Sequence, residues 1–150
     1  LVYFKHPYAY DPSGYEKDIL NINYDDILSE IKTYFTDRIQ KCVEAGISKE
    51  KIIIDPGIGF GKSGENNINL LKNIKWLKTI HSNVCIGSSN KRYSSQLFKY
   101  IQTKEDLRIA NLATFATSTF YGVTYLRVHD VGLTKDTVLV INKAVELEQS

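Results

Sequence analysis

The sequence predicts an α/β fold with a parallel sheet made of repeating βα units, and three observations carry that prediction. Short apolar runs alternate with longer stretches whose apolar residues recur every three or four positions. The run Ile52, Ile53, Ile54 is β-branched throughout, as expected of a parallel strand covered on both faces, and it stops at Asp55 in a glycine turn. Two further runs end in polar groups at the same relative place: VCIG (84–87) leads into SSNKRY, and VTYLRV (123–128) leads through Arg127 to His129 and Asp130. In parallel α/β folds ligands bind beyond the carboxyl ends of the strands, so these exits are where chemistry is expected.

Taken in order, LVYF at the start reads as a strand, and HPYAYDPSG, with two prolines and a glycine, as the loop that leaves it. From about Asn23 to Ala45, Ile27, Ile31, Tyr34, Phe35, Ile39, Cys42 and Val43 trace one face of a helix ended by Gly46. The Ile52–Ile54 strand and its glycine loop follow. A helix from about Asn67 to His81 puts Ile68, Leu71, Ile74, Leu77 and Ile80 on one face. The 84–87 strand then leads to a short helix near Ser94 to Tyr100 and a longer one from about Lys104 to Tyr121, whose stretch ANLATFATST suits close packing on a sheet. After the 123–128 strand, Thr134 or Asp136 is positioned to cap a last helix containing Val138, Leu139, Ile141, Ala144, Val145 and Leu147.

Strands alternating with helices in this way give right-handed crossovers and a sheet that is either doubly wound or closed into a barrel. Four βα units are half of a (β/α)8 barrel. The chain contains no Met and opens inside the apolar LVYF run, which predicts that 1–150 is one partial domain whose N-terminal half lies upstream.

Composition narrows the function. With 150 residues, 43% of them apolar, the chain has room for one sizeable core. A net charge of +2 with acids and bases intermixed gives no basic stripe, so nucleic acid is not an expected partner. No apolar run approaches the roughly 20 residues needed to cross a bilayer, and no leader pattern precedes the first strand; a cytoplasmic protein without a membrane partner is expected. Cys42 and Cys85 lack CxxC spacing and read as reduced packing residues.

The strings DPGIGFGK with an Asn downstream, GSSNKRY, DLRIANLAT and RVHDV, in this order and at these spacings, resemble the C-terminal half of dihydropteroate synthase. The resemblance spans Lys49 to about Val131. It implies a TIM barrel that condenses 6-hydroxymethyl-7,8-dihydropterin pyrophosphate with para-aminobenzoate, yielding dihydropteroate and pyrophosphate in folate biosynthesis. It further implies a pterin pyrophosphate site of Asp55, Gly59, Gly87, Lys91, Arg127 and His129, and an aminobenzoate site of Phe60, Lys91 and Arg92, with Lys91 and Arg127 catalytic. A carboxylate such as Asp55 offers paired acceptors to the ring N–H and exocyclic amine of a pterin. Gly57, Gly59 and Gly61 let the backbone turn and approach a flat ring. An ammonium suits the ring carbonyl, and a planar guanidinium suits both stacking and anion binding. The family's Mg²⁺ is held by an asparagine of the N-terminal half, so no metal ligand is assigned here. Members are often homodimers through the last helices.

The chain departs from the family at three places. Asn90 stands where an arginine is usual before the lysine, the first strand exit reads YFKHP with a displaced His6, and Arg108 adds a charge. Plainer roles are open to each residue. Asp55 before Pro56 is good turn chemistry, Lys91 and Arg92 suit a solvated loop, and His129 suits a satisfied core position. Arg127 in an apolar strand needs a partner, with Asp130 and Asp55 both available. Two other functions fit the same residues: a methyltetrahydrofolate methyl-transfer domain, which binds pterin by a strand-end acid without a phosphate site, and a non-catalytic pterin-binding subunit.

Overall fold

The computed structural model describes residues 1–3, 24–89, 91 and 93–148. Six α-helices are placed among them: α1 Ile27–Glu44, α2 Gly64–Lys72, α3 Ile74–Ile80, α4 Tyr93–Leu97, α5 Lys104–Phe120 and α6 Val131–Glu148. Two strands, β1 Cys85–Ile86 and β2 Tyr125–Leu126, form a parallel ladder, and a single 3-10 turn covers Lys49–Lys51. Phe4, which ends the expected first strand, and the loop expected after it, with His6, Tyr8 and Tyr10, lie outside the described residues, as do Asn90 and Arg92.

The expected four-strand order is present in the pairing. Val2 bridges Asp55 in parallel, Ile54 bridges Val84, and Cys85 and Ile86 pair with Tyr125 and Leu126. Each strand segment therefore neighbours the next one in the chain, with no reversal of order, which is the arrangement of a barrel wall rather than of a doubly wound sheet. The strands are shorter than the apolar runs suggest. Pro56 brings no N–H to extend the ladder past Asp55, and the turn begins at Gly57, whose φ is 70°.

One face of this array is closed by helices. Ile54, Val84 and Ile86 are fully buried against Ile31 and Phe35 of α1 and Leu70, Ile74 and Leu77 of α2 and α3. The other face is open: Val2, Ile53 and Tyr125 are exposed. The expectation that the Ile52–Ile54 run is covered on both faces is thus corrected at Ile53, whose side chain alternates to the uncovered side.

Helix boundaries follow capping groups more than periodicity. Asp26 starts α1 by accepting from the N–H groups of Leu28 and Ser29, later than the pattern suggests. Ser63 starts α2 in the same way through Asn66 N. The helix expected from Asn67 to His81 is divided at Asn73, whose side-chain amide donates to the Asn69 carbonyl at 2.7 Å. The buried face then runs through Asn67, Leu70, Leu71, Ile74 and Leu77, leaving Ile68 outside it. Thr103 and Asp106 form a reciprocal capping box at α5. α6 begins at Val131, not at Thr134 or Asp136: Asp130 supplies the cap, its carboxylate accepting from Leu133 N at 3.2 Å. Among the described residues no helix is long and apolar enough to cross a membrane.

Candidate active site

The centre of the rim is Asp55, which is 4% exposed. One carboxylate oxygen accepts from Gly57 N at 2.8 Å, and the other lies 3.3 Å from Nη2 of Arg127. Both expected roles for an acid at this place, turn former and ion-pair partner, are met by the same side chain. Arg127 takes Asp55 rather than Asp130. Its guanidinium passes over Gly87, where an added Cβ would sit 2.6 Å from Nη2 and 2.8 Å from Cζ, so only glycine leaves the guanidinium that path.

Lys91 enters from the loop after β1. Its stem lies along Gly59, where a Cβ would come within 2.7 Å of the Lys91 Cβ, and its Nζ stands 3.5 Å from the centroid of the Phe60 ring. That is a cation–π contact, in which the ammonium meets the negative face of the ring. Burial holds the Lys91 ammonium below the ordinary lysine range, with the Arg127 charge adding to the effect and Asp55 opposing it. These three charges therefore feel one another, and Asp55, Gly59, Phe60, Gly87, Lys91 and Arg127 form a single cluster. Cys85, on β1 beneath it, has its thiol pushed up by burial and by Asp55.

His129 stands at the edge of this cluster. It is exposed, which corrects the alternative of a core position, and its backbone N–H donates to the Ser89 hydroxyl at 3.3 Å. Next to it Asp130 accepts from Nε and Nη2 of Arg108 at 3.1 and 2.9 Å, and those bonds with the Leu133 N–H hold its carboxyl below the usual range. A cleft of about 290 Å³ lies here, lined by Ser89, Arg108, Asn111, His129 and Asp130 among others. A more apolar cavity of about 580 Å³ sits between α2, α4 and α5 and includes none of the rim residues. Asp55, Lys91 and Arg127 line neither of these two hollows.

Three residues to which the sequence pattern assigns no role hold the glycine turn in shape. Asn67, fully buried, accepts from Gly59 N at 2.8 Å and donates to the carbonyls of Lys62 and Ser63 at 3.1 and 2.8 Å. Lys62, 2% exposed, donates to the carbonyls of Gly57 and Phe60, both at 2.9 Å. Tyr24 donates its hydroxyl to the Gly61 carbonyl at 2.9 Å. The available signal is position: Lys62 and Asn67 belong to the same motif as Asp55, although nothing in their type announces burial.

Comparison with known proteins places the chain among relatives. A family model described as "Pterin binding enzyme" matches residues 12–129. Dihydropteroate synthase of Escherichia coli strain K12 is 32% identical over 127 residues, covering 85% of this chain and 44% of that protein. The structure of Yersinia pestis dihydropteroate synthase with a sulfonamide drug superposes with a TM-score of 0.84 at 28% identity, covering 98% of this chain and 50% of that one. Dihydropteroate synthase from Thermus thermophilus, solved in complex with 4-aminobenzoate, gives a TM-score of 0.79 at 25% identity, covering 95% of this chain and 55% of that one. The chain thus spans about half the length of the relatives it matches. With the helix-backed parallel strands and the acid-glycine rim of the turn, these matches show that the chain belongs to the pterin-binding enzyme family and is a partial counterpart of dihydropteroate synthase.

Proposed function

We propose that this chain forms the C-terminal half of a dihydropteroate synthase barrel and carries its pterin- and aminobenzoate-facing groups, the N-terminal half lying upstream. The reaction is the condensation of 6-hydroxymethyl-7,8-dihydropterin pyrophosphate with para-aminobenzoate in the cytoplasm. The observation that carries this reading is the single cluster in which Asp55 meets Arg127 and Lys91 meets Phe60. Relatives support the ligand classes, since the Thermus thermophilus enzyme has been solved with 4-aminobenzoate and with 6HMPPP.

In this reading Asp55 accepts the pterin's ring N–H and amine, its long 3.3 Å contact to Arg127 being the weaker of its two bonds and the one a bidentate donor displaces. Arg127 then lies against the pterin, and with His129 faces the pyrophosphate. Lys91 donates to the ring carbonyl, and Phe60 borders the aminobenzoate. The carbon–oxygen bond to pyrophosphate breaks with its electron pair on the leaving oxygen, and the aminobenzoate nitrogen attacks the cation-like methylene and gives up a proton. The protein supplies position and charge.

Mg²⁺, which the family uses, takes its asparagine ligand from the N-terminal half in this reading. Among the described residues no group of three His, Cys, Asp or Glu side chains could hold a metal, and Asp55 and Asp130 are each engaged by a guanidinium. No step is assigned to it in this chain. Leu139, Val140 and Leu147 are exposed along α6, which supports a homodimer through the last helices.

Calorimetric titration with the dihydropterin pyrophosphate and with para-aminobenzoate, run beside a turnover assay, tests the reading. Pterin binding that survives Asp55→Ala refutes the site, and synthase turnover by the 150-residue chain alone refutes the half-barrel assignment.

A further inference from the structure

Among the described residues, Lys62 is the buried cation that the proposed chemistry leaves unused. A solvated lysine would be the default at the end of a glycine loop, yet this one is 2% exposed. Its three N–H donors have three carbonyls to meet: Gly57 and Phe60 at 2.9 Å each and Tyr3, across 59 residues of chain, at 3.5 Å. Its Nζ also lies 5.0 Å from the centroid of the Tyr3 ring. The two shorter bonds bracket the turn that presents Gly59 and Phe60, and those are the residues against which Lys91 rests. Asn67 grips the same turn from the other side through Gly59 N.

We propose that Lys62 is a positioning residue: from beneath the turn its ammonium fixes the Gly59–Phe60 surface against Lys91 and so sets the aminobenzoate side of the site, with less bearing on the pterin side. The ligand assignment rests on the proposed function; the geometry does not. An ammonium is suited to this place because it alone offers three donors from one atom. Burial draws its pKa down to about 7, with the Asp55 charge opposing. Near neutrality it therefore passes between a three-donor and a two-donor form. Among the described residues, the other titratable or charged groups around this spot are Asp55, the hydroxyls of Tyr3 and Tyr24, Glu30 of α1 behind Tyr3, and the amino group of Leu1 on the Ile53 carbonyl.

Lys62→Met keeps the stem and removes the donors. In the full chain, hydrogen exchange at the Gly59 and Phe60 amides should quicken by about tenfold while α1 amides keep their rates, and affinity for para-aminobenzoate should fall by about tenfold with pterin affinity within about threefold of wild type. Unchanged exchange, or equal loss of both ligands, overturns the inference. If the variant does not fold, the wild-type chain is read from about pH 6 to about pH 9, the span around the lowered lysine value. Protection of the two amides, corrected for intrinsic rate, should rise in step with the titration of the Lys62 Cε signal, because an opening that releases Lys62 to water takes up a proton and is opposed as pH rises; protection that stays flat through that titration overturns the inference. A wild-type chain that binds neither ligand refutes the proposed function, and the exchange measurements then decide this inference alone.

Discussion

Asp55 and Asp130 both stand at strand exits of the same rim, and each pairs with an arginine, but their surroundings differ. Asp55 is enclosed, with Gly57 N on one oxygen and a partner arginine reaching it from a more distant strand. Asp130 is half-open to solvent, where its carboxylate caps α6 and holds Arg108. Behind Asp55 lies a second layer of buried polar groups, Lys62 and Asn67, that grip its turn; Asp130 opens a helix whose one buried residue is Thr134 and borders the cleft beside Asn111. The contrast teaches that residue type at a strand end does not by itself mark the binding group. A buried carboxylate with its lone pairs directed by neighbours is preorganised, whereas an exposed one is screened and mobile.

Replacing Asp55 tests the contrast most severely. Asp55→Ala leaves the Gly57 N–H without its acceptor and Arg127 without its partner, so a loss of about 2–3 kcal/mol in unfolding free energy is expected in urea titrations. Pterin binding should fall below detection in calorimetry.

The pH dependence of stability comes next. Lys62 has an ordinary value of 10.5 when unfolded and about 7 when folded. Between those values the unfolded chain binds more protons, so stability should rise with pH from about 7 upward, by an amount on the order of a few kcal/mol. The buried hydroxyls of Tyr3 and Tyr24 work the other way. Burial raises both, so their contribution is intact below the unfolded tyrosine value and is lost at more alkaline pH. Denaturation midpoints across this range should pass through a maximum, and Lys62→Met should remove the rising limb.

Lys91→Ala removes the ammonium over Phe60 and should weaken both ligands by about tenfold while leaving the fold intact, since the side chain is only half-buried. A smaller effect is expected at Gly87. Gly87→Ala pushes the Arg127 guanidinium aside, which should cost pterin pyrophosphate affinity by about threefold to tenfold without lowering the thermal midpoint sharply. The smallest change belongs to Asp130→Ala, whose pterin affinity should stay within about threefold of wild type. A large loss there would erase the distinction between the two exits.

Much of this is legible in the sequence because it depends on local pattern. The strand runs ending at Asp55, Gly87 and Val128 mark the rim, and a charged Arg127 in an apolar run demands a partner, which is Asp55. Other features depend on contacts that local pattern does not encode. Asn73 divides a periodic helix by a side-chain bond to which apolar spacing is blind. Asp130 reads as part of the strand exit, which hides its cap on α6 and favours Thr134 or Asp136 in that place. Lys62 is buried because Tyr3 covers it from the first strand segment, and no property of a Gly-Lys pair foretells that cover. Ile53 shows the reverse case: its apolar run promises burial, but alternation turns it to the open face.

The strand order carries a consequence for how the molecule is made. Since every pairing among the described residues joins one unit to the next along the chain, each added unit closes a loop of a few tens of residues, and loops of that length incur a modest entropy cost. Assembly can proceed by accretion from one end, as the polypeptide leaves the ribosome, with every new strand finding its template already in place.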